Sequence, residues 1–200
     1  MGAIKNKEQR VGIFIDIQNL YHSAKNLYSS RVNYKELLKT LIAGRKLIRA
    51  IAYVVKSDVE GGHDAHPANG ANPSGTLTPE ASFFDALRRV GIELRMKDIQ
   101  IFASGAKKAD WDVGMAVDAI RMAEFLDAVV LVTGDGDFVP LVEYLKWGKG
   151  RTVEVAAFSR STNAKIKEVA DEFIALEDIP KILLRTILKN SSRRDTDQPQ

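Results

Sequence analysis

The sequence contains no cysteine. Disulfides and thiolate metal sites are therefore excluded, and a cytoplasmic location is the default expectation. Histidine is scarce, with only His22, His63 and His66. The last two lie in a glycine-rich stretch, where a solvated loop is the favoured reading over a metal site. A histidine-rich zinc centre is thus disfavoured. Any metal site must use oxygen donors, which points to Mg2+ or Mn2+. No apolar run approaches the roughly 20 residues that cross a bilayer, so no membrane partner is expected. Residues 1–10 are polar and charged and lack the apolar core of a secretory signal. No internal repeat is visible.

What is present suits one domain with a proper core: 200 residues, 45% of them hydrophobic and 28% charged. The formal charge of +3 is a mild bias towards anionic partners. Much of the excess sits at Lys181, Arg185, Lys189, Arg193 and Arg194, a pattern that a solvated tail explains equally well.

Residues 11–15 form a short apolar run ending at Asp16 and read as a buried strand. Helical spacing follows over 19–28 and over 34–43, where Leu37, Leu38, Leu41 and Ile42 share a face and Gly44 stops the pattern. Residues 47–55 read as a second strand. Residues 58–78 hold four glycines, two prolines and two histidines, which is usual for a functional or disordered loop. Pro79 opens a helix at the position it favours, with Phe83, Phe84, Leu87 and Val90 as its buried stripe. Residues 92–96 and 98–102 are short strand-like segments. Asp110 is placed to cap a helix to about Leu126. The run 128–133 is the most strand-like in the chain. It leads into the turn Gly134-Asp135-Gly136-Asp137 and a helix to Trp147. A strand over 152–158, a helix over 163–170, a short strand over 173–176 and a terminal helix over 180–188 complete the reading. Residues 190–200 read as a disordered polar tail.

Strands alternating with helices predict a three-layer α/β/α sandwich with a mainly parallel central sheet. The expected divisions are an N-terminal extension over 1–9, one domain over 10–178, and a C-terminal helix and tail over 179–200. In such sheets ligands bind beyond the carboxyl ends of the strands.

Asp16 directly follows one strand, and Asp135 and Asp137 follow another. Two elements about 120 residues apart thus deliver acids to one rim. The glycines around Asp135 let the backbone turn tightly. Several converging carboxylates suit a hard divalent cation and repel one another without it. Against this, Gly-Asp-Gly-Asp is also an ordinary turn composition whose aspartates bond their own backbone. Asp112 near a helix start is favoured by the helix dipole alone. Asp118, six residues on, lies on a different face at ~100° per residue and can pair with Arg121. Spacing does not choose between Asp112 and Asp118.

The run Gly12-Ile-Phe-Ile-Asp16-Ile-Gln-Asn19-Leu20 resembles the opening strand of NYN domains. The run from Lys107 through Asp110-Trp111-Asp112 to Asp118-Ala119 resembles the central helix of their LabA-like group. Val132-Thr-Gly-Asp135-Gly-Asp137-Phe-Val-Pro-Leu141 is similar to that group's most specific signature. The three occur in the family's order and spacing, over about residues 10–178. The resemblance implies a PIN-like fold and metal-assisted hydrolysis of RNA phosphodiesters. It implies Asp16, Asp112, Asp135 and Asp137 as metal-binding acids, with Asp118 also matching the pattern, and Asn19 orienting a ligand or bound water. Mg2+ or Mn2+ would be the cofactor and RNA the partner, and a homodimer is an assembly to be tested.

Lys56, Lys107, Lys108 and Thr133 are candidate substrate-binding residues, although exposed lysines are common on any surface. Trp111 suits base stacking or, as tryptophans beside helix starts commonly do, packing. Single-stranded or looped RNA is the expected substrate. A non-catalytic RNA- or protein-binding regulator with the same fold is the alternative. A haloacid-dehalogenase-type phosphohydrolase needs a second aspartate two residues after Asp16, where the chain has Gln18.

Overall fold

The computed structural model describes residues 5–56, 78–98, 100–101, 107–108 and 111–185. In chain order the elements are β1 (Arg10–Asp16), α1 (Ile17–Tyr28), β2 (Ser30–Val32), α2 (Tyr34–Ile42), β3 (Lys46–Lys56), α3 (Pro79–Arg89), β4 (Glu93–Asp98), β5 (Gln100–Ile101), β6 (Lys107–Lys108), α4 (Asp112–Met122), β7 (Ala128–Val132), α5 (Val139–Glu143), β8 (Thr152–Ala157), α6 (Ala164–Val169), β9 (Glu172–Ala175) and β10 (Leu183–Arg185).

Six strands form one sheet in the order β4-β3-β1-β7-β8-β9, and every neighbouring pair is parallel. All five residues of β7 are buried, as its unbroken apolar run requires of a strand covered on both faces. Alternation along β1 sorts the core into two layers. Ile13 and Ile15 pack with Leu20 of α1, Leu37 and Leu41 of α2 and Leu87 of α3. Phe14 packs on the opposite face with Met115 and Ala119 of α4, Leu141 of α5 and Ile166 of α6. The result is a three-layer α/β/α sandwich of PIN-like fold. The chain leaves β1 to build β3 and β4 on one side, then returns to build β7, β8 and β9 on the other. The carboxyl ends of β1 and β7 therefore flank the topological switch point, where open α/β sheets bind ligands.

Helix starts follow local chemistry. Asp16 caps α1 by accepting from the Asn19 amide at 3.0 Å, Asn33 accepts from Glu36 at 3.4 Å, and Thr78 accepts from Ala81 at 3.1 Å.

Three expectations are corrected. Residues 183–185 are not helical but pair antiparallel with Ser30–Val32 as β10 against β2. The apolar spacing at Ile182 and Leu183 that suggests a helix instead places both residues against the core. The helix expected up to Trp147 is broken up. It opens as a 3-10 turn at Gly136–Phe138, continues as α5, and widens into a π-type turn at Tyr144–Gly148. The strand expected over 98–102 divides, with β4 running to Asp98 and Gln100–Ile101 pairing with Lys107–Lys108. The loop at 58–77 with His63 and His66, the Asp110 cap and the tail at 190–200 lie outside the described residues.

At the amino edge of the sheet Arg10 grips Asp127 through Nη2 at 2.7 Å, Nε at 3.0 Å and its backbone amide at 2.8 Å. These bonds hold the Asp127 carboxyl at about 2, below its ordinary 3.8. A depressed acid adds stability above its unfolded value and loses it as pH falls through the folded one. Between pH about 4 and about 2, wild type should therefore lose stability more steeply than Asp127→Asn, as measured by urea unfolding at each pH. Parallel curves would dismiss the contribution.

Candidate active site

Asp16 ends β1 directly opposite Tyr53 of β3 in the strand register. Its Oδ1 accepts from the Asn19 amide, and its Oδ2 accepts from the Thr133 hydroxyl at 3.3 Å. Burial pushes its carboxyl above the ordinary value. The Asn19 amide and Thr133 hydroxyl oppose that rise, while the charge of Asp135 adds to it. An ionised Asp16 is thus a desolvated charge held by two donors beside a second acid.

Thr133, one residue beyond β7, joins the two strand ends. Its single hydroxyl proton goes to Asp16, and its oxygen accepts the Asp135 amide at 3.2 Å. Expected as a substrate contact, Thr133 is 1% exposed, and its hydroxyl is engaged within the protein. A second tie comes from Asn19, whose Oδ1 accepts the Gly134 amide at 3.0 Å. The first turn of α1 and the turn after β7 are thereby locked together.

Asp135 caps the 3-10 turn by accepting from the Asp137 amide at 3.0 Å. The glycines beside it serve a purpose other than the expected tight turn, since neither has a positive φ. They admit the segment after β8. The Asn163 amide donates to the Gly134 carbonyl at 2.9 Å. A Cβ on Gly136 would lie 2.5 Å from Asn163 Nδ2, and one on Gly134 3.1 Å from Thr162 Cα. Close approach of this neighbouring segment requires the missing Cβ.

The turn brings Asp135 and Asp137 to Asp112, the first residue of α4. Each of the three offers a carboxylate oxygen, and these oxygens lie within 4.8 Å of one another. Asp16, Asn19, Asp112 and Asp135 also line one cleft of about 240 Å3, together with Gln18, Tyr53 and Trp111. All-oxygen donors so spaced are chemically suited to Mg2+ or Mn2+.

Asp118 is not in this group. It accepts from the Tyr53 hydroxyl at 3.0 Å and faces Arg95 Nε at 3.5 Å. The main chain of Lys56 ends β3, and that of Lys107 and Lys108 forms β6. Their side chains lie outside the description. Tyr53 and Gln18 are the cleft residues that sequence reading passed over. A tyrosine inside an apolar strand carries no signal of its own, and only the register sets it beside Asp16. Burial, reinforced by the charge of Asp118, raises the Tyr53 phenol above its ordinary value and keeps it a donor.

No helix among the described residues is long and apolar enough to cross a membrane.

The NYN domain family model matches residues 10–177. Low amplitude and bright protein LabA of Synechococcus elongatus is 26% identical over 113 residues, covering 54% of this chain and 60% of that protein. The chain thus spans under two thirds of this relative's length. A crystal structure of a protein of unknown function from Vibrio parahaemolyticus superposes with a TM-score of 0.74 at 30% identity. It covers 91% of this chain and 100% of its own.

Proposed function

The chain belongs to the NYN domain family, within the PIN-like nuclease superfamily, and from that premise we propose that it is a divalent-metal-dependent ribonuclease for single-stranded or looped RNA. The observation that carries this reading is the convergence of Asp112, Asp135 and Asp137 at the switch point of the sheet.

In this reading Asp112, Asp135 and Asp137 hold Mg2+ or Mn2+, with Asp16 beside them in the cleft. Such an ion, when bound, lowers the pKa of the attacking water and steadies charge building on the phosphate. The protein's own groups supply position. Thr133 couples Asp16 to the backbone of Asp135, and Asn19 fixes the turn at Gly134. Lys56, Lys107 and Lys108 contact flanking phosphates. A cleft at a sheet rim reaches a phosphate on a flexible strand, whereas stacked, paired bases in an A-form duplex resist bending into it. A cytoplasmic site of action belongs to the same reading and rests on the cysteine-free composition.

The test is incubation of purified protein with labelled single-stranded, hairpin and duplex RNAs in Mg2+, Mn2+ or EDTA. Metal-dependent cleavage of the first two is expected. A rise in melting temperature with Mn2+ should accompany it by mass action. A melting curve unmoved by millimolar Mn2+, with every RNA intact, would refute the reading.

A further inference from the structure

Asp112 is placed by a helix, so whatever fixes that helix fixes the acid. The start of α4 is unusual. Its N-cap residue is Trp111, which makes no side-chain cap bond. The indole N–H instead donates to the Val54 carbonyl of β3 at 2.9 Å. The ring meets Tyr53 edge-on at 5.5 Å. It also lies on the first turn of its own helix, where a Cβ on Gly114 would come within 2.5 Å of ring carbon Cε3 and 2.9 Å of Cζ3. Seven residues on, Asp118 accepts from the hydroxyl of the same Tyr53 at 3.0 Å. At ~100° per residue, seven steps come within ~20° of two full turns. Trp111 and Asp118 therefore share one helical face, and both ends of that face rest on one tyrosine. Asp112 lies about 100° round the helix from Trp111, turned towards Asp135 and Asp137.

We propose that Tyr53 is the hub of a two-point anchor, Trp111 at the start of α4 and Asp118 two turns along, that sets Asp112 among the metal-binding acids. Asp118 is then a positioning residue for the metal site and not one of its ligands. The assignment rests on the metal reading above for its consequence, but the anchor itself is a matter of contacts. Arg95 adds little, because its side chain is 53% exposed and exposed pairs are weak. The Tyr53 hydroxyl is the contact that matters. It joins the phenol to an acid 22% exposed at its side chain and lies within the protein rather than on its surface.

The variants are Tyr53→Phe, Asp118→Ala, Asp118→Asn and Gly114→Ala in the full chain, read by Mn2+ titration and by amide exchange of the metal-free protein. Tyr53→Phe and Asp118→Ala each remove the hydroxyl bond and should weaken Mn2+ about tenfold, the lower end of what partners of metal ligands contribute. Their double variant should be no worse than either alone, because one contact is removed twice. Gly114→Ala displaces the Trp111 ring and should weaken Mn2+ similarly. Asp118→Asn keeps an acceptor for the phenol and should bind Mn2+ as wild type does. Loss of binding in Asp118→Asn equal to that in Asp112→Asn would make Asp118 a ligand and overturn the proposal, as would wild-type affinity in Tyr53→Phe. Should wild type itself not bind Mn2+, the metal reading fails separately. Exchange at the Met115 amide, which donates to the Trp111 carbonyl at 2.7 Å, then decides the anchor. Faster exchange in Tyr53→Phe supports it, and unchanged protection overturns it.

Discussion

Asp135→Asn should lower the rate of RNA cleavage by at least about a thousandfold, while fold and RNA affinity persist. The size follows from the role proposed for the acid. A metal ion supplies several kcal/mol of charge stabilisation, and losing about 4 kcal/mol of it is a factor of about 10³ in rate. The fold persists because asparagine caps as well as aspartate, so the bond from the Asp137 amide is kept. Affinity persists or rises because one carboxylate fewer repels the phosphate. Melting of the apo protein should be unchanged or higher, since Asp135 adds to the charge burden on the desolvated Asp16. Lys107→Ala with Lys108→Ala should do the opposite, weakening binding and reducing its salt slope by roughly 1. The comparison requires single-turnover cleavage and binding in EDTA, measured on the same labelled strand. An Asp135→Asn protein that cleaves like wild type would assign the activity to a contaminant and leave the fold as an RNA- or protein-binding scaffold.

Glu154→Gln should destabilise the protein by about 3–5 kcal/mol, the range for breaking one side of a buried ion pair. Glu154 is 0% exposed and Arg45 5%. Arg45 bonds both Glu154 oxygens, at 2.5 and 3.0 Å, and also the carbonyls of Leu41 and Ile42 at the end of α2 at 2.6 and 3.1 Å. The pair therefore pins α2 to β8 across the sheet face. Glutamine keeps the shape and one acceptor but leaves the guanidinium charge uncompensated in the core. For a chain of this size the melting temperature should fall by roughly 10 °C. Arg45→Met with Glu154→Leu removes both charges and should recover most of the loss, because the desolvation penalty vanishes with the attraction. Equal melting temperatures for wild type and Glu154→Gln in thermal denaturation would show that the buried charge is solvated by other means.

The order of strands and helices was legible because hydrophobic period is a local property. The continuous run at Ala128–Val132 and the 3.6-residue spacing in α1 and α2 each bury one face whatever the rest of the chain does. The parallel sheet followed from that order, since parallel strands need crossovers. The final segment was misread for the same reason turned round. Three residues at Leu183–Arg185 are too few to show a period, and their conformation comes from a partner strand about 150 residues away.

The sequence by itself determined the alternation that makes the sandwich, and the arrival of Asp16 and Asp135 at the ends of two strands, because a residue following a strand has nowhere else to go. Only the tertiary structure decided which acids meet. Asp112 and Asp118 sit on one helix with equal claims in sequence, and the docking of α4 against β3 sends the first to Asp135 and Asp137 and the second to Tyr53. Tertiary contacts also decided that Gly134 and Gly136 make room for the segment at Thr162–Asn163 rather than for a left-handed turn, that Thr133 is a buried tie between strand ends, and that Glu154 has a partner at all. Each of these is a contact between residues far apart along the chain, and its energy depends on distance and burial, which local pattern does not encode.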